Sequence, residues 1–381
     1  MIRLTRYTLV LAFMLSPIYV FDSGLPQPAD YIFLVFVLAM TLMWSWGFCT
    51  FSVGVVPMPW ISLVVWIVLC SLTWSILYLS LDFMRYAAFW VYNLVVCAYV
   101  LNAVRSKVVE RTQIAFGINV ALIVCAVGVI AGLGESARAK GFFNNPNQLS
   151  YYALVALSMS LYMSQFRLKG GVLYLLALGA GVISVLSGAS ISAIVGFSFL
   201  ALGVLLRNVT SVKGVISVAI GMAVVVLLVV LGNVVSGGAI ESIVEKRIAR
   251  LDDKVENVYE DRKLHRLVNH PEQLFAGAGE AHHLERFGDR TEIHNAYANV
   301  LFNYGVIGFV AFLSIFGVLA LRSSKFEVLA VMGPMVYNFT HMGLRSTMFW
   351  LLVSFVFYDT LLRRKTTRNY NIRSVAGGQG A

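Results

Sequence analysis

Runs of about 20 apolar residues recur along this chain, the length a helix needs to cross a bilayer. That periodicity of long apolar segments leaves few folds open. Only 13% of the residues are charged and 59% are hydrophobic, where a soluble domain carries roughly 25% charged residues. A 381-residue globule has too little interior to hide so many apolar side chains from water. Water-soluble α/β and all-β enzymes are therefore excluded, as are disorder and a disulfide scaffold. The expected fold class is an all-α integral membrane protein with about twelve transmembrane helices.

The expected spans are 7–21, 31–48, 60–79, 84–103, 112–133, 147–165, 171–187, 189–206, 214–235, 295–321, 326–343 and 346–362. Arg3 and Arg6 before the first run resemble a signal peptide. No small-residue cleavage site follows, only Asp22-Ser23-Gly24-Leu25-Pro26, so the run is read as a span. The chain divides into 1–235 (spans one to nine, with a short external loop at 134–147), a large external loop at 236–293, spans ten to twelve at 294–362, and a tail at 363–381.

The net charge of +10 could point to nucleic acid, but its distribution argues against that partner. The basic residues sit in small groups between apolar runs, as orientation signals do. With the N-terminus in the cytoplasm, the inner loops collect Arg3, Arg6, Arg105, Lys107, Arg111, Arg167, Lys169, Arg207, Lys213, Arg322 and Lys325, and the tail adds Arg363, Arg364, Lys365, Arg368 and Arg373. Both termini are then cytoplasmic. Most of the acidic residues fall in 236–293, where Ile243, Ile248, Leu251, Val255 and Val258 have the spacing of an amphipathic helix lying near the membrane surface. The chain ends in a flexible Gly377-Gly378-Gln379-Gly380-Ala381.

The cysteines offer no chemistry. Cys49, Cys70, Cys97 and Cys125 lie in or beside apolar runs without a CxxC partner, and read as core residues. No metal site is expected either: Asp252-Asp253 has no Asp-x-Asp spacing, and His282-His283, being adjacent, point apart.

Two external constellations could carry chemistry. The first is Arg138-Ala139-Lys140-Gly141-Phe142-Phe143-Asn144-Asn145-Pro146-Asn147-Gln148. Asn145 suits the N-cap, Pro146 the first helical position and Gln148 the capping-box position. A helix N-terminus behind Arg138 and Lys140 is an anion site suited to phosphate. An ordinary capped helix with snorkelling cations fits equally well.

The second constellation runs from Glu260-Asp261-Arg262 through Arg266 and His270 to Gly277-Ala278-Gly279-Glu280, and on to Glu292-Ile293-His294-Asn295. The glycines Gly277 and Gly279 predict a tight, exposed backbone turn that a ligand could approach. Asn295, Asn299 and Asn303 form a polar stripe at i, i+4, i+8. His294 at its mouth is either a proton acceptor or a satisfied interfacial histidine, and taken alone the second carries more weight.

Together these motifs resemble the O-antigen polymerase and O-antigen ligase superfamily of bacterial envelope glycosyltransferases. Gly141-Phe142-Phe143-Asn144-Asn145-Pro146-Asn147 is similar to one signature. Glu292-Ile293-His294-Asn295-Ala296-Tyr297, continuing to Tyr304-Gly305-Val306-Ile307-Gly308, is similar to another. Arg266 and Gly277 match the Arg-x10-Gly pattern of the polymerases.

The resemblance implies a GT-C-like fold and a cofactor-free, metal-independent glycosyl transfer at the bacterial plasma membrane. The donor is an undecaprenyl-diphosphate-linked glycan. His294 would be the general base, with Arg266 and Arg138 holding the diphosphate and Lys140, Arg262 and Arg345 as further diphosphate ligands. Asn145, Asn147, Gly277, Gly279, Glu292 and Asn295 would support them. Membrane lipid and a chain-length regulator are candidate partners.

In one place the chain departs from the family. Many relatives carry Ser-Arg after the seventh span, whereas here Ser187-Gly188-Ala189-Ser190-Ile191-Ser192 places Ile191 at the arginine position. Any role of that arginine is expected to be absent here or supplied by another residue, such as Arg345 or Arg262. The polymerase is preferred over the ligase because of Arg266 and Gly277. A transporter or flippase would be favoured by buried ion pairs within several spans and a helix broken at mid-membrane, and neither is evident in the sequence, which also lacks a convincing internal repeat.

The orientation is testable. Single cysteines at Asp253 and Asp289 should react with a membrane-impermeant thiol reagent in outer-membrane-permeabilised cells. One at Thr366 should react only after the plasma membrane is opened. Labelling in the reverse order would sink the orientation.

Overall fold

A computed structural model of the chain describes residues 1–22, 24–132, 138–168, 171–210, 212–235, 258–281, 286–287 and 292–377. Among the described residues the fold is helical throughout, without a strand. The amphipathic segment expected before Val258, the Asp252-Asp253 pair and His282-His283 lie outside the described residues.

The first nine long helices are α1 (Ile2–Leu15), α2 (Pro28–Ser45), α3 (Met58–Tyr78), α4 (Asp82–Arg105), α5 (Arg111–Ala131), α6 (Pro146–Met163), α7 (Val172–Ser187), α8 (Ile191–Asn208) and α9 (Val212–Val235). Three short helices follow: α10 (Val258–Asp261), α11 (His265–Asn269) and α12 (Gln273–Ala276). Then come α13 (Ala296–Arg322), α14 (Lys325–Asn338) and α15 (Thr347–Gly377). Each expected span overlaps one of the long helices. Six of them, α2, α3, α4, α5, α8 and α13, are long and apolar enough to cross a membrane.

Of the remaining helices, α9 is long, with 24 residues, and strongly apolar, and α7 is apolar over 16 residues; three others are shorter or more polar. α1 and α14 have only 14 residues each, about 21 Å at 1.5 Å per residue. α6 is long enough but polar, because it is the innermost helix: every residue from Leu149 to Tyr162 is buried. Buried between α5, α7, α8, α14 and α15, it can carry hydroxyls that lipid would not tolerate. Ser160 donates to Asn119 Oδ1 at 2.7 Å, and Tyr162 donates to the Phe355 carbonyl at 3.1 Å. The outer helices show the converse, with Leu34, Val35 and Leu38 on α2 and Leu69, Leu72 and Ile76 on α3 exposed. Apolar outside and polar inside is the arrangement a hydrocarbon surround requires.

The last helix differs from its expected extent. The span was expected to end at 362, before a tail, but α15 continues to Gly377. Its 31 residues reach about 46 Å at 1.5 Å per residue, longer than a hydrocarbon core of about 30 Å. Of the ending expected to be flexible, 378–381 lie outside the described residues.

The bundle has two chemically distinct ends. At one, the Arg111 guanidinium grips Asp359 and Tyr162 donates to the same carboxylate, tying α5, α6 and α15 together. Arg363 forks onto Glu327 there at 2.7 and 2.5 Å, and Arg6 donates to the Val108 carbonyl at 3.2 Å. These arginines all belong to segments expected on one membrane side. The starts of α6, α13 and α15 and the end of α14 gather at the other end.

α13 is not one continuous helix. Gly305, at φ 67° and ψ −176°, breaks it, a conformation essentially restricted to glycine. A Cβ there would also lie 2.3 Å from the Phe275 carbonyl oxygen. Gly305→Ala should therefore lower the thermal unfolding temperature of the detergent-solubilised protein, the strained φ alone being worth about 1–3 kcal/mol. Gly317→Ala in the same helix, where a Cβ meets nothing within 4 Å, should leave it nearly unchanged. Equal melting of the two variants would contradict this account of the break.

Candidate functional site

The break in α13 frees backbone carbonyls that a continuous helix would have satisfied itself. They are taken up from outside the helix. Ala278 N–H donates to the Phe302 carbonyl at 2.8 Å and Gly279 N–H to the Asn303 carbonyl at 2.9 Å. The Trp66 indole donates to the Tyr304 carbonyl at 2.7 Å. The Gly277–Glu280 segment thus fills the notch, and Trp74 on α3 holds it from behind through the Gly277 carbonyl at 3.0 Å.

This overturns the exposed turn expected at Gly277 and Gly279. All four residues from Gly277 to Glu280 are buried. A Cβ on Gly277 would lie 2.5 Å from the Asn303 carbonyl oxygen, and one on Gly279 2.6 Å from Trp74. The glycines let backbone approach α13, not a ligand. Arg286 closes the segment over, donating to the Ala278 and Gly279 carbonyls. Its guanidinium stands 4.7–5.1 Å from the ring centroids of Trp74, Tyr78, Phe83 and Phe287, a cation–π enclosure.

Insertion of this segment delivers Glu280, which is fully buried. A buried carboxylate needs partners, and among the described residues Tyr304 donates to one oxygen at 2.7 Å and Arg345 to the other at 2.7 Å. The same Arg345 nitrogen donates to Glu292 at 2.8 Å. Arg345 lies over the Tyr86 ring at 4.9 Å, and its backbone carbonyl accepts from Asn93 at 3.3 Å. Burial opposes its charge, but Glu292 and Glu280 outweigh that and hold its pKa above the ordinary arginine value. Glu292 in turn faces His294, with 3.8 Å between carboxylate oxygen and Nδ1.

A second polar cluster forms around the start of α6. Asn145 caps it, accepting from Gln148 N–H at 2.9 Å, and Pro146 opens it. Arg138 donates to Asn147 Oδ1 at 2.7 Å and to the Gly188 carbonyl at 2.6 Å. Tyr337 donates to the Asn147 carbonyl at 3.0 Å and stacks on His341, which contacts Ser192 at 3.4 Å.

The two clusters meet at the end of α14. Both Arg262, at 3.3 Å, and Asn295, at 2.8 Å, donate to the Phe339 carbonyl, two residues from Tyr337. The loop from Phe339 to Ser346 therefore carries Arg345 into one cluster and His341 into the other.

The site residues expected from sequence are distributed as follows. Arg138, Asn145 and Asn147 sit in the second cluster; Arg262, Glu292, His294, Asn295 and Arg345 sit around the first. Lys140 is exposed, and Arg266 on α11 is 6% exposed, enclosed by protein. Burial lowers the Arg262 pKa. Asn295 is the N-cap of α13, accepting from Ala298 N–H at 3.0 Å, so it ends the stripe with Asn299 and Asn303, both of which are buried.

Of the arginines named for the Ile191 position, Arg345 donates to Glu280 and Glu292 and Arg262 to the Phe339 carbonyl. Arg138 is the cation held against that turn. The break of α13 at Gly305 was not evident in the sequence, and the Glu280–Arg345 ion pair lies outside the expected spans. Sequence reasoning passed over Glu280, Tyr304, Tyr337 and Ser192 as site residues. Glu280 had one legible sign, an acid directly after two closely spaced glycines; the others became neighbours only on folding.

Removing one member of a buried ion pair leaves the other uncompensated, at a cost of about 3–5 kcal/mol. Arg345→Ala should thus destabilise the protein far more than Arg262→Ala, which removes a hydrogen bond to a backbone carbonyl. Thermal unfolding followed by tryptophan fluorescence tests this, and equal losses would count against the Glu280 anchor.

Compared with known proteins, the chain matches no protein-family model and no curated protein.

Proposed function

We propose that the chain is a polymerase joining undecaprenyl-diphosphate-linked oligosaccharide repeat units on the outer face of the bacterial plasma membrane. In this reading all twelve long helices span the membrane in a GT-C-like arrangement, with both termini in the cytoplasm. One observation carries the proposal. The two segments on which the family resemblance rests lie 147 residues apart, from Asn147 to His294, yet both attach to the same short stretch of chain, Tyr337–Phe339. Tyr337 holds the Pro146-Asn147 segment, and Phe339 holds the residue after His294. Arg138, Arg262 and Arg345 come to the same end of the bundle.

Such an end can perform glycosyl transfer. The acceptor hydroxyl attacks the anomeric carbon of the donor. The bond from that carbon to the diphosphate oxygen breaks, and the lipid diphosphate leaves with the electron pair. His294, 49% exposed, takes the hydroxyl proton. Arg138, Arg262, Arg266 and Lys140 supply the cations for the diphosphate, arginine being suited to bond two oxygens at once. Arg345 is committed to Glu280 and Glu292, and in this reading it orders the site. The ligase, which uses the same donor with a lipid A-core acceptor, is the close alternative.

A transporter or flippase is a second reading, favoured by the break in α13 and the buried Glu280–Arg345 pair. Broken helices and buried ionisable residues mark transport sites in membranes. Against it stands the use of the break: its freed carbonyls are filled by the protein's own backbone and Trp66, which leaves them unavailable to cargo.

The test uses purified protein in detergent with single repeat units on undecaprenyl diphosphate, isolated from a strain lacking the chain. Wild type should convert them to polymer. His294→Ala and His294→Gln should lose about 10²–10⁴-fold in rate, as expected for a positioned base. Arg266→Ala should abolish product and Arg266→Lys restore only part. Near-normal polymer from His294→Gln would remove the base role. Export of intact single units into vesicles, without elongation, would favour the transporter.

A further inference from the structure

The first helix is too short for the membrane it would cross. α1 has 14 residues, about 21 Å at 1.5 Å per residue, against about 30 Å of hydrocarbon in a bilayer. It packs on α2 and α5, and the three helices border a groove of about 900 Å³. Leu11, Met14, Val35 and Phe116 line it, and Leu11, Val35 and Phe116 are exposed.

The groove is not apolar throughout. Arg6, Thr112 and Gln113, from the first turns of α1 and α5, also line it. Arg6 Nε donates to the Val108 carbonyl at 3.2 Å, which anchors the guanidinium to the loop before α5. Among the described residues this carbonyl is its one hydrogen-bond partner, so its two terminal nitrogens are left for another acceptor. Gln113 turns its side-chain oxygen to the Glu110 N–H at 3.0 Å, and its amide nitrogen is the donor that remains for the groove.

The charge around Arg6 is positive. Arg3 precedes it by one turn of α1, and Arg105 and Lys107 lie in the loop that holds it. The acid of that loop, Glu110, is used to cap α5: its carboxylate accepts from the Gln113 backbone N–H and from the Thr112 hydroxyl at 3.2 Å. A helix shorter than the hydrocarbon draws the lipid beside it inward. Arg6, one turn inside such a helix, meets the headgroup level there, and a cation at that depth needs an anionic partner.

We propose that this groove holds one anionic phospholipid of the surrounding bilayer. Its phosphate sits on the Arg6 fork and the Gln113 amide, and an acyl chain follows α1 toward Met14. A zwitterionic ethanolamine lipid is disfavoured because its ammonium would face Arg3, Arg105 and Lys107. The inference goes beyond glycosyl transfer and does not depend on it, requiring only that the helices span a membrane.

Native mass spectrometry of the full-length protein, released from micelles carrying phosphatidylglycerol or phosphatidylethanolamine, tests it. Wild type should retain one phosphatidylglycerol several-fold more tightly than phosphatidylethanolamine, and millimolar inorganic phosphate should not displace it. Arg6→Gln should weaken phosphatidylglycerol about fivefold, the effect of one cation near an anionic lipid, and change phosphatidylethanolamine little. Leu11→Trp puts a larger ring in the path of the acyl chain without touching the headgroup ligands. It should also weaken phosphatidylglycerol several-fold, and it keeps the inference testable should Arg6→Gln fail to fold. Arg207→Gln removes a cation that lies over the Phe326 ring at 5.2 Å, outside the groove, and should leave retention unchanged. Equal retention of the two lipids by wild type, equal losses in Arg6→Gln and Arg207→Gln, displacement by free phosphate, or unaltered binding in Leu11→Trp would each overturn the assignment.

Discussion

Everything at the site end depends on how the chain satisfies three backbone carbonyls. A helix broken at Gly305 leaves the Phe302, Asn303 and Tyr304 oxygens without partners, and within a bilayer no water is at hand to supply them. The backbone of Ala278 and Gly279 and the indole of Trp66 do so instead. That requirement brings a segment of the long loop into the bundle. It also brings in a carboxylate, because Glu280 follows directly on Gly279. The energetic sense is reciprocal: the segment has buried N–H groups to satisfy, and α13 has the matching acceptors.

A carboxylate placed this deep then dictates what must surround it. Glu280 needs both a hydrogen-bond donor and a positive charge, and Tyr304 and Arg345 meet those needs from α13 and from the loop before α15. Arg345 reaches on to Glu292, so four segments far apart in sequence become one network. Such networks are rigid when fully satisfied and costly when incomplete.

Much of the fold was legible in the chain's apolar runs, since each long helix lies where such a run does. α6 shows where that reasoning stops. Its serines and tyrosines weaken its apolar character because it never faces lipid, and no one-dimensional hydropathy reveals which helix will be innermost. The N-cap at Asn145 was legible because capping is local: Asn, Pro and Gln at fixed offsets suffice. Gly277 and Gly279 were legible as a special turn but not as a buried one. A glycine signals close backbone approach without naming what approaches. The helical break was hidden for the same reason, Gly305 lying in an otherwise unbroken apolar run whose local preference gives no sign of a partner for its carbonyls.

Composition, the spacing of apolar runs and the order of basic residues were enough to determine an all-helical, membrane-type architecture and to group its arginines into two sets. These are properties of short stretches and their sum, and they survive without knowledge of neighbours. The pairing of Arg345 with Glu280 and Glu292, the placement of Arg138 against the Gly188 turn and the joining of Asn147 to Asn295 through the end of α14 were decided only by tertiary structure. They depend on contacts between residues tens to hundreds of positions apart. Which arginines are enclosed and paired follows from burial and charge balance, and those exist only once the helices have packed.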